Sequence, residues 1–348
     1  MASTLDNSAW LQWMTTLMGG GSRHTYAATL PPDRFYCLLD ELPLHLIPQR
    51  AFKPWNLPER GDHLLFLNPD CISCADGRLP EELELRSELF SGFALQGTIA
   101  WVRDPAIVNL LPFWLGPHLA GVLRDLRPDQ PVPASFPDGL RRLLVAADIL
   151  VSKGRARQRQ VEREELIRSA GAMFRERGYA PLVELIHPFH VAALRRYYRY
   201  LIRTGAIALG DGQSLHRYVA YNEPVARFFH QNITAILSAV AGEELKPSYV
   251  YMASYRSGAE LKKHTDREQC EFSITLCLDF SPEPMLETSW PIRLDTPTGT
   301  VTAYQALGDG LAYRGTRLPH YRTPLSEGKT STSIFFHYVA ADFAGSLD

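Results

Sequence analysis

His264-Thr265-Asp266, followed far downstream by His320 and then by Lys329, decides how this chain is read. In an extended segment residues i and i+2 project to the same side, so His264 and Asp266 can meet one cation while Thr265 points away. Two imidazoles and one carboxylate can occupy one face of an Fe(II) ion and leave the opposite positions open. A cation a short strand beyond His320 suits a dicarboxylate cosubstrate held beside the metal. The pair alone is not selective: with 11 His and 18 Asp in 348 residues, about half a His-x-Asp is expected by chance, so its surroundings must support it.

Those surroundings are strand-rich. Residues 248–255 read as a strand, and Arg256-Ser257-Gly258-Ala259 as the turn leading toward His264. Phe272, Ile274, Leu276 and Leu278 alternate with Ser273, Thr275, Cys277 and Asp279, the period-2 pattern of a half-buried strand. Residues 308–315 read as a turn, a short strand and a second turn containing Gly315, which places His320 after a bend. Residues 330–339, rich in Thr, Ile, Phe, Tyr and Val, read as a further strand. The candidate ligands therefore sit at strand ends, where a barrel mouth can gather them.

From about Gly178 to Val339 these residues resemble the prolyl-4-hydroxylase-like branch of the Fe(II)/2-oxoglutarate-dependent oxygenases. The elements that carry the resemblance are Tyr255-Arg256-Ser257-Gly258, His264-Thr265-Asp266, Gly308-Asp309-Gly310, His320 and Lys329. The resemblance implies an α+β chain whose catalytic core is a double-stranded β-helix (jelly roll) with supporting helices. It makes His264, Asp266 and His320 the iron ligands, Tyr255 a hydrogen-bond donor to 2-oxoglutarate, and Lys329 the partner of its distal carboxylate. Ser331, on the same strand face as Lys329, is a further candidate contact. The implied cofactors are Fe(II), 2-oxoglutarate and O2, and the implied outcome is hydroxylation of an unactivated C–H with release of succinate and CO2. Halogenating relatives carry a small residue where this chain keeps Asp266, which favours hydroxylation. The prolyl-hydroxylase likeness points to an amino-acid residue as substrate, free, carrier-bound or within a peptide. The competing reading is a noncatalytic jelly-roll protein that binds metal for stability and serves as a binding or scaffold module.

The buried end of such a cosubstrate needs a cation, because an unpaired carboxylate is costly in an apolar barrel. Besides Lys329, three arginines lie close to the motif. Arg267, Arg314 and Arg322 are candidates for a substrate carboxylate or for reinforcing the cosubstrate site, and Arg322 shares the strand face of His320 if the strand runs on. An ordinary surface or ion-pair role competes for all three. The other nine His, including His187, His190 and His337, lack a ligand constellation and read as structural.

At 348 residues and 45% hydrophobic content the chain can bury more than one core. Residues 1–152 are expected to form a separate mixed α/β domain, 153–178 a linker helix and 179–348 the oxygenase domain. Only 151–178 is basic, with 8 Lys+Arg against 4 Asp+Glu. Leu166, Ile167, Ala170, Met173 and Phe174 form its apolar stripe, with Gly178 placed to end it. A net charge of -2 offers no electrostatic footprint for nucleic acid. No apolar run is long enough to span a bilayer.

Within 1–152, Trp10, Trp13 and Gly19-Gly20-Gly21-Ser22 suggest an apolar element and a turn without the pattern of a signal peptide. Strands are expected over 63–67 and 91–102, a helix from about Pro80, a loop over 128–133, and a helix followed by a strand over 136–150, as in small winged-helix modules. This domain reads as a scaffold, a homodimerisation surface or a module that recognises a small-molecule or peptide substrate. Five Cys include Cys71-Ile72-Ser73-Cys74, which lacks a second pair to complete a zinc site, so free thiols are expected. A reducing cytoplasm is the expected compartment, which also suits ferrous iron.

Overall fold

The structure is a computed structural model describing residues 26–48, 64–103, 110–212 and 214–348. Trp10, Trp13, residues 19–22 and His63 lie outside the described residues. The chain divides into two compact units, Met1–Arg163 and Glu164–Asp348.

In the first unit β1 (Leu65–Leu67) pairs antiparallel with β5 (Leu150–Ser152), while β2 (Cys71–Ala75), β3 (Thr98–Arg103) and β4 (Leu110–Leu115) form a second antiparallel sheet. Helices α1 (Glu81–Glu84), α2 (Pro117–Arg124) and α3 (Asp138–Ala146) complete it. The helix expected within 136–150 is α3, but the strand comes later than expected: the helix runs to Ala146, a turn through Asp148 at φ 57° follows, and β5 has only Leu150 inside that span. The strand expected over 91–102 is confined to β3, because Gly97, at φ 78°, interrupts the extended run. Phe35, Phe90, Phe93, Trp101 and Trp114 fill the core with edge-to-face and stacked ring contacts. Cys71 and Cys74 are free thiols on β2, and three residues apart on a strand they face opposite sides.

Helix α4 (Lys153–Arg177) covers the expected linker helix and ends at Gly178, which adopts φ 78°. In the second unit its buried stripe is Ala170, Gly171 and Phe174, with Phe174 stacked on Phe272, and Leu166 is exposed. Leu166 thus departs from the expected stripe. It lies about 100° around the helix from Ile167, enough to turn it away from the packed face.

The eight strands that follow wind as two Greek keys. β8 (Leu245–Tyr255), β10 (Phe272–Ser281), β13 (Gly310–Arg314) and β15 (Thr330–Ala340) interleave along the chain with β9 (Leu261–His264), the consecutive pair β11 (Ile292–Thr296) and β12 (Gly299–Ala303), and β14 (His320–Arg322). They lie in two antiparallel sheets, β13-β10-β15-β8 and β12-β11-β14-β9, which is the strand order of an eight-stranded jelly roll. β6 (Tyr179–Leu182) and β7 (Arg217–Tyr221) extend the first sheet at its two edges.

Two amphipathic helices belong to this unit, α5 (Pro188–Arg203) and α6 (Pro224–Ala241). Each starts with Pro at its first position behind a capping side chain: His187 accepts from Phe189 N, and the Glu223 carboxylate accepts from Val225 N and Ala226 N. Arg195, fully buried, ties α5 to β10 by donating to Asp279 at 2.9 Å and to Glu283.

β10 departs from the half-buried strand expected of it. Nine of its ten residues are buried, including the polar ones Ser273 and Thr275. Phe272 stacks on Phe174 of α4, whereas Ser273 and Thr275, in register with Tyr313 and Leu311 of β13, line the barrel interior together with Cys277. The alternation therefore separates two interiors, one apolar and one lined by small polar groups. No helix among the described residues is long and apolar enough to cross a membrane.

Candidate metal centre

His264 and His320 are direct cross-strand partners in the antiparallel pairing of β9 with β14, and this register brings their rings together with centroids 4.4 Å apart and planes tilted by 53°. Asp266, two residues past His264, is turned to the same point by its backbone N–H, which donates to Gly315 O at 2.9 Å. His264 Nε2 and His320 Nε2 each lie 3.5 Å from Asp266 Oδ1. First-row metal bonds of about 2.1 Å at right angles would set such ligand atoms roughly 3 Å apart, so the three groups are gathered close to a facial set.

The tautomers are dictated by the other ring nitrogens. His264 Nδ1 lies 2.7 Å from Lys262 O and His320 Nδ1 3.0 Å from Leu318 O. A carbonyl only accepts, so each Nδ1 carries a proton and each neutral ring presents its lone pair at Nε2. Two lone pairs and a carboxylate oxygen then face one another, an arrangement that calls for a cation. Burial pulls the Asp266 carboxyl up, but where no cation bridges the three groups, hydrogen bonds from the Nε2–H of protonated His264 and His320 outweigh it and hold it well below the usual carboxylate range, a task a bound cation would take over from those protons. The Asp266 carboxylate raises the His264 imidazole against partial desolvation. His320 is 2% exposed and Asp266 12%, whereas His264 is 40% exposed, so the cluster opens to solvent on the His264 side.

Around the ligands, Ser273 Oγ donates to Asp266 Oδ2 at 3.1 Å and also lies 2.9 Å from His337 Nδ1. Gly315 comes so close that a Cβ on it would stand 2.3 Å from Asp266 Oδ2. Sequence reasoning gave neither Ser273, Gly315 nor His337 a role at this site. The signal available was the polar phase of β10, which puts Ser273 on the same strand face as Thr275 and Cys277. A second group, Asp266, Cys270 and His337, is also compact enough for a metal. Burial pushes the Cys270 thiol up to about 11 and its sulfur is 2.9 Å from Tyr249 Oη, which makes it the poorer donor set.

The remaining sequence-predicted residues separate. Tyr255 and Ser331 are cross-strand partners on β8 and β15, both 2% exposed, and Tyr255 packs edge-on against Trp290 in an apolar cluster with Phe280, Leu307, Leu325 and Phe335. Lys329 precedes β15, is partly exposed, and donates to Ser289 Oγ at 2.8 Å. Arg314 lies over Phe272 with its guanidinium 3.6 Å from Glu243 and 4.0 Å from Glu271, an ion-pair setting. Arg267 is exposed with its guanidinium 4.7 Å over the Tyr249 ring. Arg322 is buried with its guanidinium 4.7 Å over Trp290. Arg217 of β7, paired with Asp211 at 2.6 Å, is in register with Tyr255 and was not singled out from the sequence.

No family model matches the chain, and no curated protein matches it. Among solved structures, the nogalamycin-biosynthesis epimerase SnoN in complex with Fe3+, α-ketoglutarate and nogalamycin RO is similar at 13% identity and TM-score 0.43, over 51% of this chain and 85% of that one. A prolyl-4-hydroxylase from Pseudomonas putida is similar at 12% identity and TM-score 0.42, over 50% of this chain and 100% of that one. HygX from Streptomyces hygroscopicus, with nickel, 2-oxoglutarate and hygromycin B bound, is similar at 12% identity and TM-score 0.41, over 51% of this chain and 88% of that one.

Proposed function

We propose that the second unit is an Fe(II)- and 2-oxoglutarate-dependent dioxygenase that hydroxylates an unactivated C–H of an amino-acid residue, free, carrier-bound or peptidyl. The observation that carries this reading is the convergence of two imidazole Nε2 atoms and one carboxylate oxygen, with both Nδ1 atoms turned to backbone carbonyls. Three protein ligands on one face with an open side suit a metal that must also take a cosubstrate and O2. With iron and 2-oxoglutarate bound, O2 chemistry yields succinate and CO2 and supplies the oxidant for the substrate.

This chain's own residues then have separable tasks. His264, Asp266 and His320 hold the metal, and Ser273 keeps the Asp266 carboxylate oriented and ionised. Tyr255 and Ser331 offer hydroxyls inside the barrel, and the apolar cluster around Tyr255 excludes water from the bound cosubstrate. Lys329 is the cation that the sequence resemblance assigns to the distal carboxylate. Residues 1–152 are assigned the task of holding or orienting the substrate, which contributes to rate independently of the metal ligands.

Succinate formation by full-length protein supplied with Fe(II), 2-oxoglutarate and O2, compared with His264→Ala and His320→Ala variants, tests the reading. Succinate from the wild type and none from either variant is expected. Metal binding without succinate, across a panel of amino acids and peptides, would leave a noncatalytic metal-binding jelly roll in its place.

A further inference from the structure

Arg322 stands two residues beyond His320 on β14, and both are buried while Tyr321 between them is not. Its guanidinium lies over the Trp290 ring and donates through Nη1 to Trp290 O at 3.1 Å. Arg322 Nε is fully buried and meets no acceptor. Among the described residues no carboxylate lies within ion-pair distance of it, and its neighbours are aromatic, with Tyr255 packed against the same Trp290 ring. A guanidinium does not shed its proton in a protein, so burial does not remove the charge. A permanent charge is thus kept in an aromatic chamber with an unused donor.

Lys329 is in a different situation. Its ammonium is partly exposed on Ser289, so water already meets its charge. A guanidinium fork matches a planar carboxylate with two parallel hydrogen bonds, and the gain is largest where water is excluded. Residues i and i+2 of a strand are roughly 7 Å apart on one face, a distance that two methylenes and two carboxyl groups can bridge from the metal ligand His320.

We propose that Arg322, rather than Lys329, is the counter-ion for the distal carboxylate of a five-carbon 2-oxo dicarboxylate whose 2-oxo acid end lies at His264, Asp266 and His320. This assignment rests on the dioxygenase reading above. Tyr255 and Ser331 flank the same carboxylate from β8 and β15, and the length of the bridge selects 2-oxoglutarate over the shorter oxaloacetate.

The test uses the full-length chain loaded anaerobically with Mn(II), titrated by calorimetry with 2-oxoglutarate, oxaloacetate and 2-oxobutanoate. Arg322→Gln should weaken 2-oxoglutarate by on the order of 100-fold or more, with a smaller loss for Lys329→Gln. Binding of 2-oxobutanoate, which has no distal carboxylate, should be alike in wild type and Arg322→Gln. Metal-free Arg322→Met should melt above the wild type, because it removes a buried unpaired charge, whereas a structural arginine would lower the melting temperature when replaced. Should Arg322→Gln not fold, Arg322→Lys carries the comparison, keeping the charge but losing the fork. A larger loss for Lys329→Gln, unchanged 2-oxoglutarate binding by Arg322→Gln, or equal losses of 2-oxoglutarate and 2-oxobutanoate would each overturn the assignment and leave the dioxygenase reading standing. Wild-type protein that binds Mn(II) but no 2-oxoglutarate would overturn both.

Discussion

Gly315→Ala should dismantle the metal centre while leaving the barrel folded. The added Cβ would stand 2.3 Å from Asp266 Oδ2, 2.4 Å from Cys270 O and 3.0 Å from Asp266 Cγ. Ordinary C···O contacts are roughly 3.3 Å, so about 1 Å of withdrawal is required. The backbone cannot easily supply it: Gly315 N donates to Glu271 O at 3.0 Å and Gly315 O accepts from Asp266 N at 2.9 Å. The Asp266 carboxylate is the side-chain group that must yield, and Cys270 O, a main-chain atom at 2.4 Å, forces a local backbone shift besides. Metal–ligand distances tolerate only about 0.2 Å, so a carboxylate displaced by about 1 Å no longer belongs to the set. We expect a stability loss of about 1–3 kcal/mol, the usual cost of overpacking, together with a fall in metal affinity of at least 10–100-fold. Urea unfolding with and without a chelator reads the first, and competition against a chromophoric chelator reads the second. Metal affinity within about twofold of wild type, with stability within about 0.5 kcal/mol, would refute the claim that Gly315 is glycine to admit Asp266.

Ser273→Ala removes the hydroxyl that donates to Asp266 Oδ2 and should lower metal affinity by about 10–100-fold with the fold intact; equal affinity in the same chelator competition would show that the serine does not support the carboxylate. A pH effect is expected from His230, whose Nε2 donates to His337 O at 2.8 Å and whose burial pushes its pKa down to about 3. Because the folded pKa lies below the unfolded value of 6.5, its contribution is present above that value and is lost as pH falls toward 3. The loss is about 2 kcal/mol between roughly pH 7.5 and pH 5. His230→Gln should show a shallower decline in urea stability over that window, and parallel declines in the two proteins would remove His230 as the cause.

The placement of His264 and Asp266 on one side of an extended segment is a local fact, decided by a repeat of two residues, and it was legible without any partner. So were the strands at 248–255 and 330–339, the helix stop at Gly178, and the helix within 136–150, because each depends on near neighbours in the chain. The resemblance carried by Tyr255, Gly308-Asp309-Gly310 and His320 led on to the jelly-roll order that the sheets display. What could not be read locally was which face of a strand a second sheet would cover. For β10, alternation implied one dry face and one wet one, but helices close one side and the second sheet closes the other, so Ser273 and Thr275 turn inward to a chamber instead of out to water. The cations sort by the same rule. Arg267, Arg314, Arg322 and Lys329 look equivalent as letters near a motif, yet only closure of the barrel leaves Arg314 among glutamates, Lys329 on a partly exposed serine and Arg322 in an aromatic interior. Gly315 and His337 acquire their parts in the site from approaches across 49 and 71 residues of chain from Asp266, respectively, and no pattern within a short window encodes a contact of that separation.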